Sequence, residues 1–80
     1  MTDEEILGRL TVVFRQVFED GSVVATPAMT ARDVPRWDSL SHIDMIVCVE
    51  EAFGVRLPTR EVAGMQNVAD LVRCIRAKVP

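Results

Sequence analysis

The stretch from Trp37 to Gly54, WDSLSHIDMIVCVEEAFG, predicts one helix of about four turns that opens at Asp38-Ser39-Leu40 and closes at Gly54. Asp38 is placed to act as N-cap, accepting from the free amides of the first turn. Gly54 stands where glycine is favoured, just past a helix C-terminus. At about 100° per residue, the apolar side chains of this helix fall into two stripes. Met45, Ile46, Val49, Ala52 and Phe53 share a broad face, wide enough to dock on a small core. Leu40, Ile43 and Val47 lie at i, i+3 and i+7 on another side, flanked by Asp44, Glu50 and Glu51. A helix needs only one such face to fold, so the second has to be accounted for.

That second stripe is apolar along its middle and acidic at its edges, and no Lys or Arg occurs from Asp38 to Phe53. The plain structural reading packs Leu40, Ile43 and Val47 under the preceding loop; the flanking acids favour a surface that faces a partner. Ser39 lies in the first turn, where unpaired amides and the positive end of the helix dipole favour a bound or covalent phosphate. An exposed serine there is well placed to carry a phosphodiester.

A hydrolytic reading, with Asp38, Ser39 and His42 as a triad, fits less well. Ser39 and His42 are i, i+3 and can approach each other, but the adjacent Asp38 side chain diverges from Ser39 and is needed as the cap. No glycine-rich turn supplies an oxyanion hole, and a bundle of this size has no substrate cleft. His42 is expected at the edge of the core, and one histidine without nearby Cys or His partners makes no metal site.

The rest of the chain is short enough to be one domain, residues 1–80, and its 49% hydrophobic content suffices for a single core. Net charge is −3, with no basic cluster to neutralise a phosphate backbone, so nucleic acid is not expected as a partner. No apolar run approaches the ~20 residues that span a membrane. The N-terminus, MTDEEILGRL, lacks the layout of a signal peptide, which leads to a cytoplasmic location, and a monomer is expected. Cys48 and Cys74 fall in separate helices without metal-site spacing and are expected as free, buried or half-buried thiols.

Thr2 and Glu5 have capping-box spacing, Met1 and Ile6 have the spacing of a hydrophobic staple, and together they open a first helix. Ile6, Leu10, Val13, Phe14, Val17 and Phe18 give it a core face to about Glu19, and Asp20-Gly21 stops it. Residues 20–37 contain Pro27 and Pro35 and no alternating run, so neither helix nor strand is predicted; Val23, Val24, Met29 and Val34 are the expected inward pegs. After Gly54, Thr59 to Met65 predicts one short helix with Thr59 as N-cap and Val62 and Met65 facing inward. Asn67 then caps a last helix, with Asp70 near its positive end and Arg73, Arg76 and Lys78 towards its other end. Its buried stripe is Val68, Leu71, Val72, Ile75 and Val79. The fold class is therefore all-α: a small antiparallel bundle of three main helices plus one short helix, with a long loop between the first two.

The chain resembles the acyl carrier protein family, which includes the peptidyl carrier domains. The likeness rests on the Asp38-Ser39-Leu40 triplet, Trp37 before it, the helix ending Glu50-Glu51-Ala52-Phe53-Gly54, the following Leu57-Pro58 and the final amphipathic helix. It covers nearly all of the sequence. The resemblance implies that Ser39 carries 4′-phosphopantetheine, drawn from coenzyme A, with Asp38 and Leu40 at the attachment site. It implies that acyl or aminoacyl groups ride on the arm as thioesters, and that the chain is a carrier and not an enzyme. It also explains the long first loop, which in that family leads into the attachment serine. The implied partners are a phosphopantetheinyl transferase, an acyl- or aminoacyl-loading enzyme and a downstream synthase or transferase. These would meet Leu40, Ile43, Asp44, Val47, Glu50 and Glu51, the acids pairing with basic residues around partner active sites.

Two departures stand out. Ser41 occupies a position where an acid commonly follows the triplet, and the segment Arg56-Leu57-Pro58-Thr59-Arg60-Glu61 bears arginines where carriers of bulk fatty-acid synthesis are acidic. Both point away from housekeeping fatty-acid synthesis and towards a specialised secondary-metabolite, modified-lipid or aminoacyl pathway. The alternative from another class is a helical interaction module that carries no prosthetic group.

Overall fold

The computed structural model describes residues 1–79 and is all-helical, with no strand among the described residues. Its elements are α1 (Asp3–Val17), a 3₁₀ turn (Ala31–Asp33), α2 (Ser39–Phe53), α3 (Thr59–Ala63) and α4 (Val68–Arg76). The long connection between α1 and α2 carries the 3₁₀ turn.

α1 opens with the expected capping box: Thr2 Oγ1 accepts from the Glu5 amide at 3.2 Å, and Glu5 Oε1 accepts from the Thr2 amide at 3.1 Å. Ile6, Leu10, Val13 and Phe14 are buried along one face. The helix stops at Val17, two residues before the expected end. Phe18 is its buried C-cap, Glu19 takes the left-handed conformation at φ 52°, and the Asp20 amide reaches back to the Arg15 carbonyl at 3.1 Å.

The long loop is ordered by hydrogen bonds to its neighbours. Arg15 Nε donates to the Val23 carbonyl at 2.8 Å, and the Ala25 amide donates to Thr11 Oγ1 at 3.0 Å. Further on, the Pro27 and Met29 carbonyls accept from the Ala69 and Val68 amides, both at 2.9 Å. Those amides belong to the first turn of α4 and have no partner within their own helix, so the loop completes α4 while α4 fixes the loop. Val23 and Val34 are buried as expected and Met29 is half-buried, but Val24 points outwards and Ala25 takes the inward place. The backbone pairing of Ala25 with Thr11 sets that register, which alternation alone does not reveal.

One core joins Ile6, Leu10, Phe14 and Phe18 to Met45, Ile46 and Val49 of α2 and to Val68, Leu71, Val72 and Ile75 of α4. The broad face of α2 is narrower than expected at its end. Ala52 is exposed and Phe53 is half-buried, with the Arg9 guanidinium 5.8 Å from its ring centroid. Gly54 closes α2 in the left-handed conformation at φ 64°. α3 begins one residue earlier in its capping than expected: Pro58 is the N-cap, no side chain caps the helix, and Thr59 is its first helical residue. Val62, Met65 and Val79 pack half-buried against the core. Asn67 caps α4 as expected, its Oδ1 accepting from the Asp70 amide at 3.0 Å. Both thiols are free and half-buried.

Candidate functional site

The start of α2 is held in place by an aromatic train running from the core to the surface. Phe14 and Phe18 of α1 have ring centroids 5.5 Å apart, and Trp37 lies 5.6 Å from the first and 5.2 Å from the second, stacked on it. The Trp37 indole N–H donates to His42 Nδ1 at 3.0 Å, and the two rings stack at an interplanar angle of 16°. Trp37 thus ties the residue before the helix to the helix's own first turns.

Asp38 is the N-cap. Its Oδ1 accepts from the Leu40 amide at 3.0 Å and the Ser41 amide at 2.9 Å. Ser41 answers in kind: its Oγ accepts from the Asp38 amide at 2.8 Å and donates to the Arg36 carbonyl at 2.7 Å. The serine at this position completes a reciprocal capping box, as an acid there could, but its hydroxyl also donates to the Arg36 carbonyl, which a carboxylate cannot do. The Asp38–Ser41 spacing was the available signal for it. Bonds from the Ser41 backbone, foremost, and from the Ser41 hydroxyl and Leu40 amide hold the Asp38 carboxyl below the usual carboxylate range.

Ser39 is the first residue of α2, exposed, and its hydroxyl has no hydrogen-bond partner among the described residues. It borders a surface hollow shared with Ala31, Trp37, Asp38 and His42. The expectation that free amides of the first turn await a phosphate holds for the Ser39 amide alone, because the Leu40 and Ser41 amides are taken by Asp38. An exposed, uncommitted hydroxyl on a rigidly capped helix does fit a covalent arm.

Beside the hollow lies a half-open cavity of about 90 Å³ lined by Ala31, Trp37, His42, Met45, Met65, Leu71 and neighbouring residues. Ala31, Trp37 and His42 face both spaces and form the wall between them. Burial holds the His42 imidazole below its ordinary value. Protonation at Nδ1 would also remove the acceptor that Trp37 uses. The folded state therefore binds fewer protons here than the unfolded chain. Stability that is complete above the unfolded value of about 6.5 declines as pH falls from there towards the depressed folded value. Thermal melts between about pH 7 and pH 5.5 are expected to show this decline, and His42→Gln should flatten it. An unchanged slope in the variant would place the titration elsewhere.

The second stripe of α2 faces solvent: Leu40 is 77% exposed, Ile43 61% and Val47 47%. They do not pack under the loop. Asp44 and Glu51 are exposed beside them, whereas Glu50 is half-buried and engaged, its Oε2 accepting from the Leu57 amide at 2.8 Å. The structure thus brings Ser39, Leu40, Ile43, Asp44, Val47 and Glu51 onto one open face and gives Glu50 an internal task, pinning the link from α2 to α3.

A capped helix with an exposed serine at its head and an unburied apolar stripe is an arrangement suited to a protein of the carrier type. Residues 37–75 match the phosphopantetheine attachment site family. The chain is 32% identical over 75 residues to the meromycolate extension acyl carrier protein of Mycolicibacterium smegmatis, covering 94% of this chain and 76% of that protein. It is 35% identical over 72 residues to the acyl carrier protein of Acidothermus cellulolyticus, covering 90% and 86%. The solution structure of the holo acyl carrier protein from Geobacter metallireducens superposes with a TM-score of 0.84 at 40% identity, covering 90% of this chain and 83% of that one. The chain belongs to the acyl carrier protein family, and its prosthetic group is 4′-phosphopantetheine. That group supplies a terminal thiol on which acyl cargo is held as a thioester. Among the described residues no helix is long and apolar enough to cross a membrane.

Proposed function

We propose that Ser39 is the attachment residue and that the exposed stripe of α2 is the surface its partner enzymes read. The observation that carries this is the exposed, uncommitted Ser39 hydroxyl at the head of the same helix that leaves Leu40, Ile43 and Val47 unburied. Asp38 and Leu40 frame the attachment point, and the whole chain works as one domain. The protein supplies no bond-making chemistry. A tethered cargo reaches a transferase, a loading enzyme and a downstream synthase in turn at high effective concentration, without release.

The cargo belongs to a specialised pathway. Support comes from Ser41 in place of an acid, from Arg56 and Arg60 near α3, and from relatives named for meromycolate extension. Incubation with coenzyme A and a phosphopantetheinyl transferase tests the carrier reading by intact mass. An interaction module that carries no arm would gain no mass.

Recognition has its own expected outcome. Ile43→Glu or Val47→Glu should leave the helix melt unchanged, because both side chains already face water. Arm transfer should slow markedly, since the new carboxylate would lose water against an apolar partner surface without gaining a hydrogen bond. Glu51→Lys should slow transfer mainly at low salt, as exposed charges are screened over roughly 8–10 Å at ordinary ionic strength. Transferase kinetics at two salt concentrations beside circular dichroism melts check both. A Val47→Glu protein that is folded and modified at the normal rate would remove the stripe from this enzyme's contact surface.

A further inference from the structure

We propose that His42, through its Nε2–H, is the side-chain donor that holds the phosphodiester of the arm on Ser39. This rests on Ser39 being the attachment residue. A phosphodiester there is a permanent anion needing hydrogen-bond donors, and at this helix start the Ser39 amide is the one first-turn amide still open among the described residues. The Leu40 and Ser41 amides already serve Asp38 Oδ1, and the His42 amide serves the Asp38 carbonyl. The carboxylate of Asp38 borders the same hollow and repels a second anion. One amide leaves most of the phosphate's oxygens without a donor, and a further one has to come from a side chain.

His42 is three residues beyond Ser39, on the same side of α2, and lines the hollow with it. Its orientation and tautomer are both set. The Trp37 indole can only donate, so His42 Nδ1 must accept, and the ring proton of the neutral imidazole sits on Nε2. Nε2 has no hydrogen-bond partner among the described residues and is not closed off from solvent. Trp37 is in turn wedged against Phe14 and Phe18, so the imidazole is held by a chain of packed rings. A fixed neutral N–H that meets an anion forms a charge-assisted hydrogen bond.

Other charges around the ring leave this role open. Asp38 is committed to its cap, and the segment on the cavity side of the ring presents Gln66 and Asn67, which do not titrate. On the loop, Asp33 accepts from the Thr30 amide, and Arg36 is paired with Glu19 at 2.9 Å. Arg32, next to Ala31, is the one further cation beside the hollow in sequence and serves as the control.

The chain has a single histidine and a single tryptophan, so the His42 ring resonances and the Trp37 fluorescence each report this pair alone. The experiment compares pH titrations of the apo protein with those of protein loaded by coenzyme A and a transferase, the arm's position being fixed by peptide mass mapping. With the arm on Ser39, the His42 midpoint should move upwards, because the phosphodiester favours the protonated ring. The ³¹P resonance of the arm, which has no proton of its own to lose in this range, should shift with the same midpoint. His42→Gln should make that resonance independent of pH, while Arg32→Ala should leave its pH dependence intact. Identical His42 midpoints in apo and loaded protein, or a ³¹P shift abolished by Arg32→Ala instead, would overturn the assignment while leaving Ser39 in place. An arm mapped to another residue would overturn both readings, and the mass map distinguishes the two failures.

Discussion

Ser39→Ala is expected to abolish attachment of the arm completely while leaving the protein as stable as the unsubstituted chain. The two halves of that result have separate causes. Attachment needs a hydroxyl, and the serines at 22 and 41 are not available substitutes. Ser22 Oγ donates to Asp20 Oδ1 at 2.6 Å in a loop far along the chain, and Ser41 Oγ is bonded to both the Asp38 amide and the Arg36 carbonyl. Stability is spared because the Ser39 hydroxyl has no partner to lose among the described residues, the cap is made by Asp38 and Ser41, and alanine is the better helix former. Intact mass after transferase treatment and a thermal melt decide both halves. Mass gain persisting in Ser39→Ala would move the attachment site to another side chain. A large loss of melting temperature would mean that Ser39 serves the fold after all.

Phe14→Ala is expected to cost about 3–5 kcal/mol, close to the whole stability of a domain this size, roughly 4–12 kcal/mol. Phe14 is fully buried and touches both the Phe18 and Trp37 rings, so its removal opens a cavity at the junction of α1, the loop and the start of α2. Phe14→Leu, which refills part of the volume, keeps the test informative if the alanine variant does not fold. Phe53→Ala should cost far less, about 1 kcal/mol, because that ring is half-buried at the end of α2 with an arginine over it. The order of the two melting temperatures is the check. Equal shifts would mean that the end of α2 is as deeply packed as its start. Loss of Phe14 should also raise the pH at which Trp37 fluorescence responds, since the indole would no longer be held against His42.

Much of the architecture was legible in the residues. Local signals mark every α-helix start that a side chain caps: Thr2 with Glu5, Asp38, and Asn67 each bond to amides only two or three positions away. Interactions of that range are written into adjacent residues and need no tertiary context. The division of α2 into a buried and an exposed stripe is equally local, because the helical period alone separates Met45, Ile46 and Val49 from Leu40, Ile43 and Val47. So is the place of Ser39 at the head of that helix.

What the residues could not reveal depends on partners distant in the chain. The register of the long loop follows from Thr11 and from the first amides of α4, so Ala25 rather than Val24 turns inwards. Ala52 and Phe53 share the core face of α2 by angle, but α1 covers the middle of that face and leaves its end half open. Glu50 looked like an edge charge until the turn after Gly54 brought the Leu57 amide to it. The α-helices, their side-chain caps and the exposed serine were legible residue by residue, because each is settled within a turn or two of backbone. That Trp37 is braced by Phe14 and Phe18 and so holds the Nδ1 of His42 depends on packing instead, because those rings are brought together from positions about twenty residues apart.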